Sequence, residues 1–391
     1  MTLSSSLIRS GLLTLGATLA GSAAWAVNGT QLGGYGVKNA MMGGASIALP
    51  LDAVAAANNP AGMAFVPDTT SLNLQVFDGR SASDYVLPSN RLNNHTTTPS
   101  PEGGGNWAWG SDMTLGISLA GSGAGASYKA PALPVTGAAD AKASLSTIEI
   151  IPTLTWKARP DLAIGVGLNL GVERFKAQGV IVPTPGGPLA LPTHGTKTAT
   201  GAGLRLGVLW QATPEFALGA NYKTKTRMSA MDGYRDDLLA YSNGRIDIPA
   251  QYGFGVAWRA LPAVTLAADW LRINWSGIKL MQDPNGFQWR SQPIVRGGVA
   301  WALNDSWTLR AGVSANRRQI DESNLNANLL TPSINSRAYT GGVTMRLDAK
   351  SDLSVGYELN PKVTLTGTGA STGTTLSSKV QVLMLGYQRA F

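Results

Sequence analysis

Apolar and polar positions alternate with a period of two along most of the chain from Leu72 onward. Residues 162–173 show the pattern clearly, because Leu, Ile and Val fill every second position and Gly, Ala, Asn and Glu fill the positions between them. The same alternation returns at 252–259 and at 307–316. A period of two predicts β-strands with one apolar face, since successive side chains of a strand point to opposite sides.

The alternating segments predict fourteen strands, an even number of the kind that a single-chain transmembrane barrel has. The predicted strands are 70–78, 104–109, 113–122, 145–157, 160–176, 197–211, 215–228, 245–259, 262–276, 289–302, 306–320, 335–347, 350–363 and 377–391. Short connections such as 158–160 and 304–305 alternate with long ones, predicted at 79–103, 123–144, 177–196, 229–244, 277–288, 321–334 and 364–376. Short turns on one side and long loops on the other are typical of outer-membrane barrels. The sequence therefore predicts an all-β fold, a 14-stranded antiparallel transmembrane β-barrel over 67–391.

The composition agrees with strands that are apolar on one face only. Charged residues make up 14% of the chain, Gly occupies 47 positions, and the mean hydropathy is +0.02. Soluble proteins usually carry about 25% charged residues, and helical membrane proteins show apolar runs of about 20 residues, which this chain lacks after its N-terminus. The net charge is +8, but the basic residues are spread singly, so we expect no nucleic-acid binding. Cysteine is absent, which excludes disulfides and thiolate metal sites; no cofactor or metal motif is evident.

Residues 1–26 have the features of a secretory signal peptide. Arg9 supplies the positive charge, 11–19 form a short apolar stretch, and Ala24-Trp25-Ala26 fits a cleavage site. The apolar stretch is too short to span a bilayer. We therefore expect an exported chain that begins at Val27 and lies in the bacterial outer membrane.

Aromatic residues are concentrated near the predicted turns. Six tryptophans lie beside short turns, namely Trp109, Trp156, Trp210, Trp258, Trp301 and Trp307. Trp270, Trp275 and Trp289 lie near long loops, which predicts a second aromatic girdle at the opposite bilayer surface. The last strand ends on Phe391, and such an end resembles the signal read by the outer-membrane assembly machinery. That machinery, outer-membrane lipid and lipopolysaccharide are the expected macromolecular and lipid partners.

Residues 27–66 break the strand rhythm and are rich in Gly and Ala. Such a segment is either a disordered leader or a plug inside the lumen, and the small inner-face residues of the strands leave room for a plug. Asn59, Pro60, Ala61 and Gly62 form a turn signal within it.

The same segment carries a family resemblance. Asn39-Ala-Met-Met-Gly-Gly-Ala, followed from Asp52 by Ala-Val-Ala-Ala-Ala-Asn-Asn-Pro-Ala-Gly, resembles the hatch of the FadL/TodX family of outer-membrane transporters of hydrophobic compounds. The resemblance implies a 14-stranded barrel plugged by an N-terminal hatch over 27–66, with transport of a hydrophobic small molecule. A long-chain fatty acid is the first expectation for that molecule. An aromatic hydrocarbon and the solutes of a general porin are the alternatives.

Two long loops are rich in apolar residues and predict a capture groove at the cell surface. The residues are Val180, Ile181, Val182, Leu189 and Leu191 in the first loop and Leu238, Leu239 and Tyr241 in the second. The alternative is that these residues only pack the loops on each other.

Strand parity points several charged residues into the lumen, where charges are expensive unless they are paired or wet. Arg205, Arg296 and Arg310 are the candidates to bind a fatty-acid carboxylate. The alternative is that each of them pairs with the plug.

Gly121 and Gly123 fall at the end of the third strand, where glycine permits a bend. In the resembling family a kink in this strand opens the wall sideways, so these two glycines are candidates for a lateral opening. An early start of the following loop is the other interpretation.

Other function classes find little support. A barrel hydrolase needs a histidine-based constellation, but the only histidines are His95 and His194, both in predicted loops. We therefore expect no enzyme. A general porin needs an open polar lumen, whereas the plug-like segment 27–66 argues for closure; a structural protein or adhesin is the remaining alternative.

Overall fold

The wall of the molecule is made of long antiparallel strands. The computed structural model describes residues 28–184 and 186–391, so the predicted signal peptide lies outside the described residues. The strands are β1 (Thr69–Asp84), β2 (Arg91–Trp109), β3 (Met113–Ser127), β4 (Lys142–Arg159), β5 (Leu162–Gln178), β6 (Ile181–Thr184), β7 (Gly187–Ala190), β8 (Lys197–Gln211), β9 (Phe216–Lys223), β10 (Arg227–Met228), β11 (Gln251–Leu261), β12 (Val264–Ile273), β13 (Gln292–Ala302), β14 (Trp307–Asn316), β15 (Arg337–Arg346), β16 (Ser351–Thr366) and β17 (Thr375–Ala390).

Helical structure is confined to short pieces. The α-helices are α1 (Val37–Ala40) and α2 (Ala55–Asn58), and the 3₁₀ turns are Pro60–Phe65, Tyr234–Asp236, Ala240–Ser242, Trp275–Gly277, Lys279–Gln282, Glu322–Asn324, Asn326–Asn328 and Gly369–Ser371. In the part of the chain that the structure describes, no helix has the length and apolar character needed to cross a membrane.

The strands close into one barrel. Each wall strand pairs antiparallel with its neighbour, β1 pairs with β17, and β8 pairs with β9 to complete the ring. Two short pieces add nothing to the count, because β10 only extends the contact with β8 and β6–β7 form a hairpin outside the wall. The 14-stranded antiparallel barrel predicted from the alternation is confirmed.

The outer face is apolar, as a lipid contact requires. On β5, Ile164, Val166 and Leu168 are exposed, whereas Ala163 and Asn169 between and beside them are buried. The six tryptophans beside the short turns are all exposed. They form one girdle at the short-turn end.

Two details of the sequence prediction are wrong. The segment 79–103 is not a long loop, because β1 runs to Asp84 and β2 starts at Arg91, so that only 85–90 connect them. Trp275 and Trp289 do not belong to a girdle at the long-loop end. They are 1% and 2% exposed and point into the lumen.

Residues 28–66, which we call the hatch segment, lie inside the barrel. Their polar groups bond to separate strands of the wall: Gly43 N–H donates to Thr340 of β15 at 2.9 Å, and Ser46 N–H donates to Asp269 of β12 at 2.7 Å. Close approach is possible because the facing wall residues are glycines. A Cβ on Gly312 of β14 would lie 2.1 Å from the backbone nitrogen of Gly43.

Candidate ligand path and binding pocket

The Asn-Pro-Ala-Gly turn of the hatch segment is anchored to the wall. The Asn59 amide donates to the Ile47 carbonyl at 2.8 Å and to the Val208 carbonyl of β8 at 3.1 Å, while its oxygen accepts the Ala61 N–H at 3.1 Å. The Thr155 hydroxyl of β4 donates to the Pro60 carbonyl at 2.7 Å. Every backbone group held in this way is one that the buried turn would otherwise leave without a partner.

Arg205 is committed to holding the hatch segment. Its guanidinium donates to the Asn169 side chain at 2.8 Å, to the Ala57 carbonyl at 2.5 Å, and to the Glu149 carboxylate. Lys223 also donates to Glu149, at 2.9 Å. Glu149 is therefore paired with both cations, and each of the three guanidinium nitrogens of Arg205 donates a hydrogen bond without a ligand.

The other two candidate arginines have hydrogen-bond partners different from those of Arg205. Arg296 of β13 lines a small cavity of about 340 Å³ beside the hatch segment and donates to the Gly44 carbonyl at 3.2 Å. Arg310 of β14 donates to the Thr344 hydroxyl at 2.5 Å. The three arginines thus each bond to a different set of partners.

A large open groove lies between the long loops. We call it the outer groove; its volume is about 1960 Å³. Its lining includes Val180, Ile181, Val182, Leu191 and Leu238 of the predicted capture residues, with Phe287, Leu329 and Leu330 from the loops opposite. Of the remaining predicted residues, Leu189 and Tyr241 are exposed, and Leu239 is buried deeper.

The two predicted capture loops are fastened to each other. The Tyr234 hydroxyl donates to the Gly195 carbonyl at 2.7 Å and accepts the Ala177 N–H at 2.8 Å, and burial raises the pKa of this phenol. The His194 imidazole lies 2.6 Å from the Asp237 carboxylate and packs edge-on against Tyr234. Hydrogen bonds therefore hold the two loops that line one side of the groove against each other.

A second, partly open cavity adjoins the groove, and we call it the inner pocket; its volume is about 680 Å³ when the space open to solvent is included. Its lining is mostly apolar and includes the aromatic side chains of Phe175, Trp275, Phe287 and Trp289. The two cavities share the lining residues Ala143, Phe175, Leu238, Leu280, Phe287 and Thr331. The two cavities therefore adjoin, and all of the residues that they share except Thr331 are apolar.

The polar groups of the inner pocket are acidic or neutral. Glu173 and Asp247 line it, and none of the described residues that line either cavity is a lysine or arginine. Asp247 accepts the Met228 N–H at 2.9 Å, and Glu173 accepts the Thr147 hydroxyl at 3.2 Å. A carboxylate ligand would meet two carboxyl groups here and no cation.

Strand pairing is incomplete in the wall next to this pocket. Pairing of β2 with β3 ends at Gly103 and Leu119, although β3 continues to Ser127 and β2 continues back to Arg91. Above that point β2 pairs only with β1, and β3 pairs only with β4. We call this unpaired stretch the wall gap.

Gly121 and Gly123, the glycines proposed for a lateral opening, both lie along the wall gap. Gly123 N–H donates to the Thr30 carbonyl of the hatch segment at 3.0 Å instead of to a wall strand. Thr30 and Ala124 also line the inner pocket. Thr30 of the hatch segment therefore both lines the pocket and bonds to the strand that borders the gap.

Sequence reasoning missed the part of β2 that forms the other edge of the wall gap. Pro99 and Pro101 of β2 stand where the pairing with β3 is absent. Proline cannot donate to a ladder and is found at strand edges. The Pro-Ser-Pro signal was there to be read, but it fell in the segment predicted to be a loop.

Comparison with known proteins agrees with this architecture. The sequence profile of the family described as outer membrane protein transport protein (OMPP1/FadL/TodX) matches residues 13–391. No match is found among the curated proteins.

Several solved structures share the fold. The P. putida toluene transporter TodX has a TM-score of 0.74 and 17% identity, covering 92% of this chain and 99% of its own. A Pseudomonas aeruginosa FadL homologue has a TM-score of 0.72 and 18% identity, covering 93% and 100%. The Ralstonia pickettii toluene transporter TbuX has a TM-score of 0.66 and 17% identity, covering 92% and 99%. At these identities the likeness shows the fold, whereas the profile match extends over nearly the whole chain. The protein thus belongs to the OMPP1/FadL/TodX family, whose members are outer-membrane transport channels for hydrophobic compounds and not enzymes.

Proposed function

We propose that this transporter carries uncharged, aromatic-sized hydrophobic molecules. The outer groove captures them, the inner pocket binds them, and they leave sideways through the wall gap into the bilayer. One observation carries the choice of cargo: the inner pocket offers four aromatic side chains and two carboxyl groups, with no basic side chain among its described lining residues.

The charge argument decides between the two expected cargoes. A fatty-acid carboxylate in the pocket would be desolvated and would lie near Glu173 and Asp247, so it would lose its hydration without gaining a cationic partner. Arg205 is the most fully hydrogen-bonded of the three arginines, and its donors are engaged by Asn169, Ala57 and Glu149. A neutral aromatic molecule avoids this cost and gains contact with the ring faces and edges.

The route rests on continuity. Groove and pocket share lining residues, and Thr30 of the pocket bonds to Gly123 at the wall gap. Exit through the wall suits cargo that prefers lipid to water, because the cargo then never enters the aqueous space below the hatch segment.

The test is uptake in a strain without its own hydrophobe transporters, complemented with this chain and given labelled toluene and labelled oleate separately. We expect toluene uptake well above the empty-vector level and oleate uptake close to it. Trp275→Ala should lower toluene uptake several-fold because it removes pocket surface, whereas Trp109→Ala, a lipid-facing exchange, should not. Oleate carried in preference to toluene would refute the proposal.

A further inference from the structure

One acidic side chain in the inner pocket has an unused oxygen. Glu173 of β5 is 2% exposed and lines the pocket. Its Oε1 accepts the Thr147 hydroxyl at 3.2 Å, whereas its Oε2 has no hydrogen-bond partner among the described residues. A buried oxygen of this kind is expensive to leave without a donor.

The other acids nearby are already provided for. Asp247 accepts the Met228 N–H at 2.9 Å and lies 4.0 Å from the Lys225 ammonium. Glu149 is held by Arg205 and Lys223. Glu173 is therefore the one acid of the described pocket lining whose free oxygen calls for a donor from elsewhere.

We propose that Glu173 selects aromatic cargo that carries a hydroxyl group, the phenol class, by accepting a hydrogen bond from that hydroxyl while Phe175, Trp275 and Trp289 hold the ring. The inference rests on the proposed function, because it concerns the same pocket and names its preferred substrate class. Pockets that combine an apolar body with a single aimed acceptor are the usual way to discriminate a hydroxyl from a hydrogen.

An ammonium donor fits the same oxygen less well. The pocket is lined mostly by apolar side chains, and the proposed exit leads into lipid, where a cation would be expensive. A phenolic hydroxyl supplies the donor and stays uncharged through the whole passage.

The experiment compares toluene with p-cresol, which differ by one hydroxyl group, by calorimetric titration of the purified full-length barrel in detergent. Wild-type protein should bind p-cresol about tenfold more tightly than toluene, as one additional hydrogen bond allows. Glu173→Leu should remove that preference, with toluene affinity changed less than about twofold, and Glu173→Gln, which keeps one acceptor oxygen, should fall between. Leu145→Val, at another lining residue, is the control and should weaken both ligands alike. Heat-modifiability on gels checks that each variant is assembled, and Glu173→Gln carries the test if Glu173→Leu does not assemble.

The outcomes separate this inference from the proposed function. Equal affinity of wild-type protein for the two ligands, or parallel losses of both in the Glu173 variants, would overturn the phenol preference while toluene transport stands. Binding of neither ligand by well-assembled wild-type protein would overturn both proposals at once.

Discussion

A disulfide across the wall gap tests the exit route directly. The chain has no cysteine, so two introduced cysteines can only pair with each other. The best site joins Ser100 of β2 to Gly121 of β3, because a Cβ placed on Gly121 would lie 3.9 Å from the Ser100 Cβ. Disulfides have Cβ–Cβ separations of about 3.5–4.5 Å, so the bond forms without moving either strand.

The magnitude can be worked from the loop that the bond closes. Joining positions 100 and 121 closes a loop of about 20 residues, which should add roughly 3 kcal/mol to the free energy of unfolding. The oxidised Ser100→Cys/Gly121→Cys barrel should therefore be at least as stable as the wild type, and lost transport cannot be blamed on misfolding. Because β2 and β3 can no longer separate, we expect toluene uptake to fall at least about tenfold, the size of effect that an obligatory exit step would produce.

The assay measures labelled toluene uptake by cells that carry the double variant, before and after reduction with dithiothreitol. Reduction should restore uptake, and each single cysteine variant should behave the same with and without reductant. Oxidised cells that transport as fast as reduced ones, with the bond verified by mass spectrometry, would refute exit through the gap. The Gly123→Val exchange is a poorer probe, because a Cβ there would lie 2.2 Å from the Leu145 carbonyl oxygen and would disturb the β3–β4 pairing.

Three further expectations concern the parts around the path. Arg205→Met leaves the buried Glu149 with Lys223 alone and should lower the free energy of unfolding by about 3 kcal/mol in a urea titration; a cost below about 1 kcal/mol would contradict the hatch-anchoring role. Tyr234→Phe removes the hydrogen bond to the Gly195 carbonyl and should raise the half-saturation concentration for toluene uptake a few-fold without changing the amount of assembled barrel. An unchanged half-saturation concentration would show that the capture loops do not need this hydrogen bond. Asp321 accepts hydrogen bonds from the Ser323 hydroxyl and amide and pairs with Arg290, and these contacts hold the pKa of its carboxyl below the usual value. The stabilisation that Asp321 provides is therefore present above the ordinary carboxyl range and is lost as the pH falls through the lowered pKa. Limited pepsin digestion at about pH 2–5 should show this loss of stability in the wild type and not in Asp321→Asn.

The barrel was predictable because lipid imposes a rule on every second residue of each strand. Where that rule ends, the prediction ends too. Asp78 to Asp84 and Arg91 to Thr98 rise above the apolar band of the wall, both faces carry polar residues, and the alternation that marks a strand disappears. The pattern therefore did not predict the extension of β1 and β2, nor the part of β2 that borders the wall gap.

The pocket was less predictable for a different reason. Trp275 and Trp289 are tryptophans near long loops, which is the pattern of an aromatic girdle. Only the fold of the loop between β12 and β13 turns both rings inward, where they meet edge to face at 5.0 Å between centroids. Likewise, parity correctly points Arg205 into the lumen, but its partner Ala57 belongs to a hatch segment whose path no local pattern specifies. Side-chain direction follows from local periodicity, whereas the contact partner depends on contacts that are distant in the chain.

The packed hatch segment has an electrical consequence. Because residues 28–66 bond to several strands of the ring and pack against wall glycines such as Gly207 and Gly312, they occupy space that an open pore of equal strand number would leave to water. Each copy should therefore add less ion conductance to its membrane than such an open pore would. The cell can then raise the number of copies, and with it the uptake of cargo, with a smaller increase in the leakage of small polar solutes.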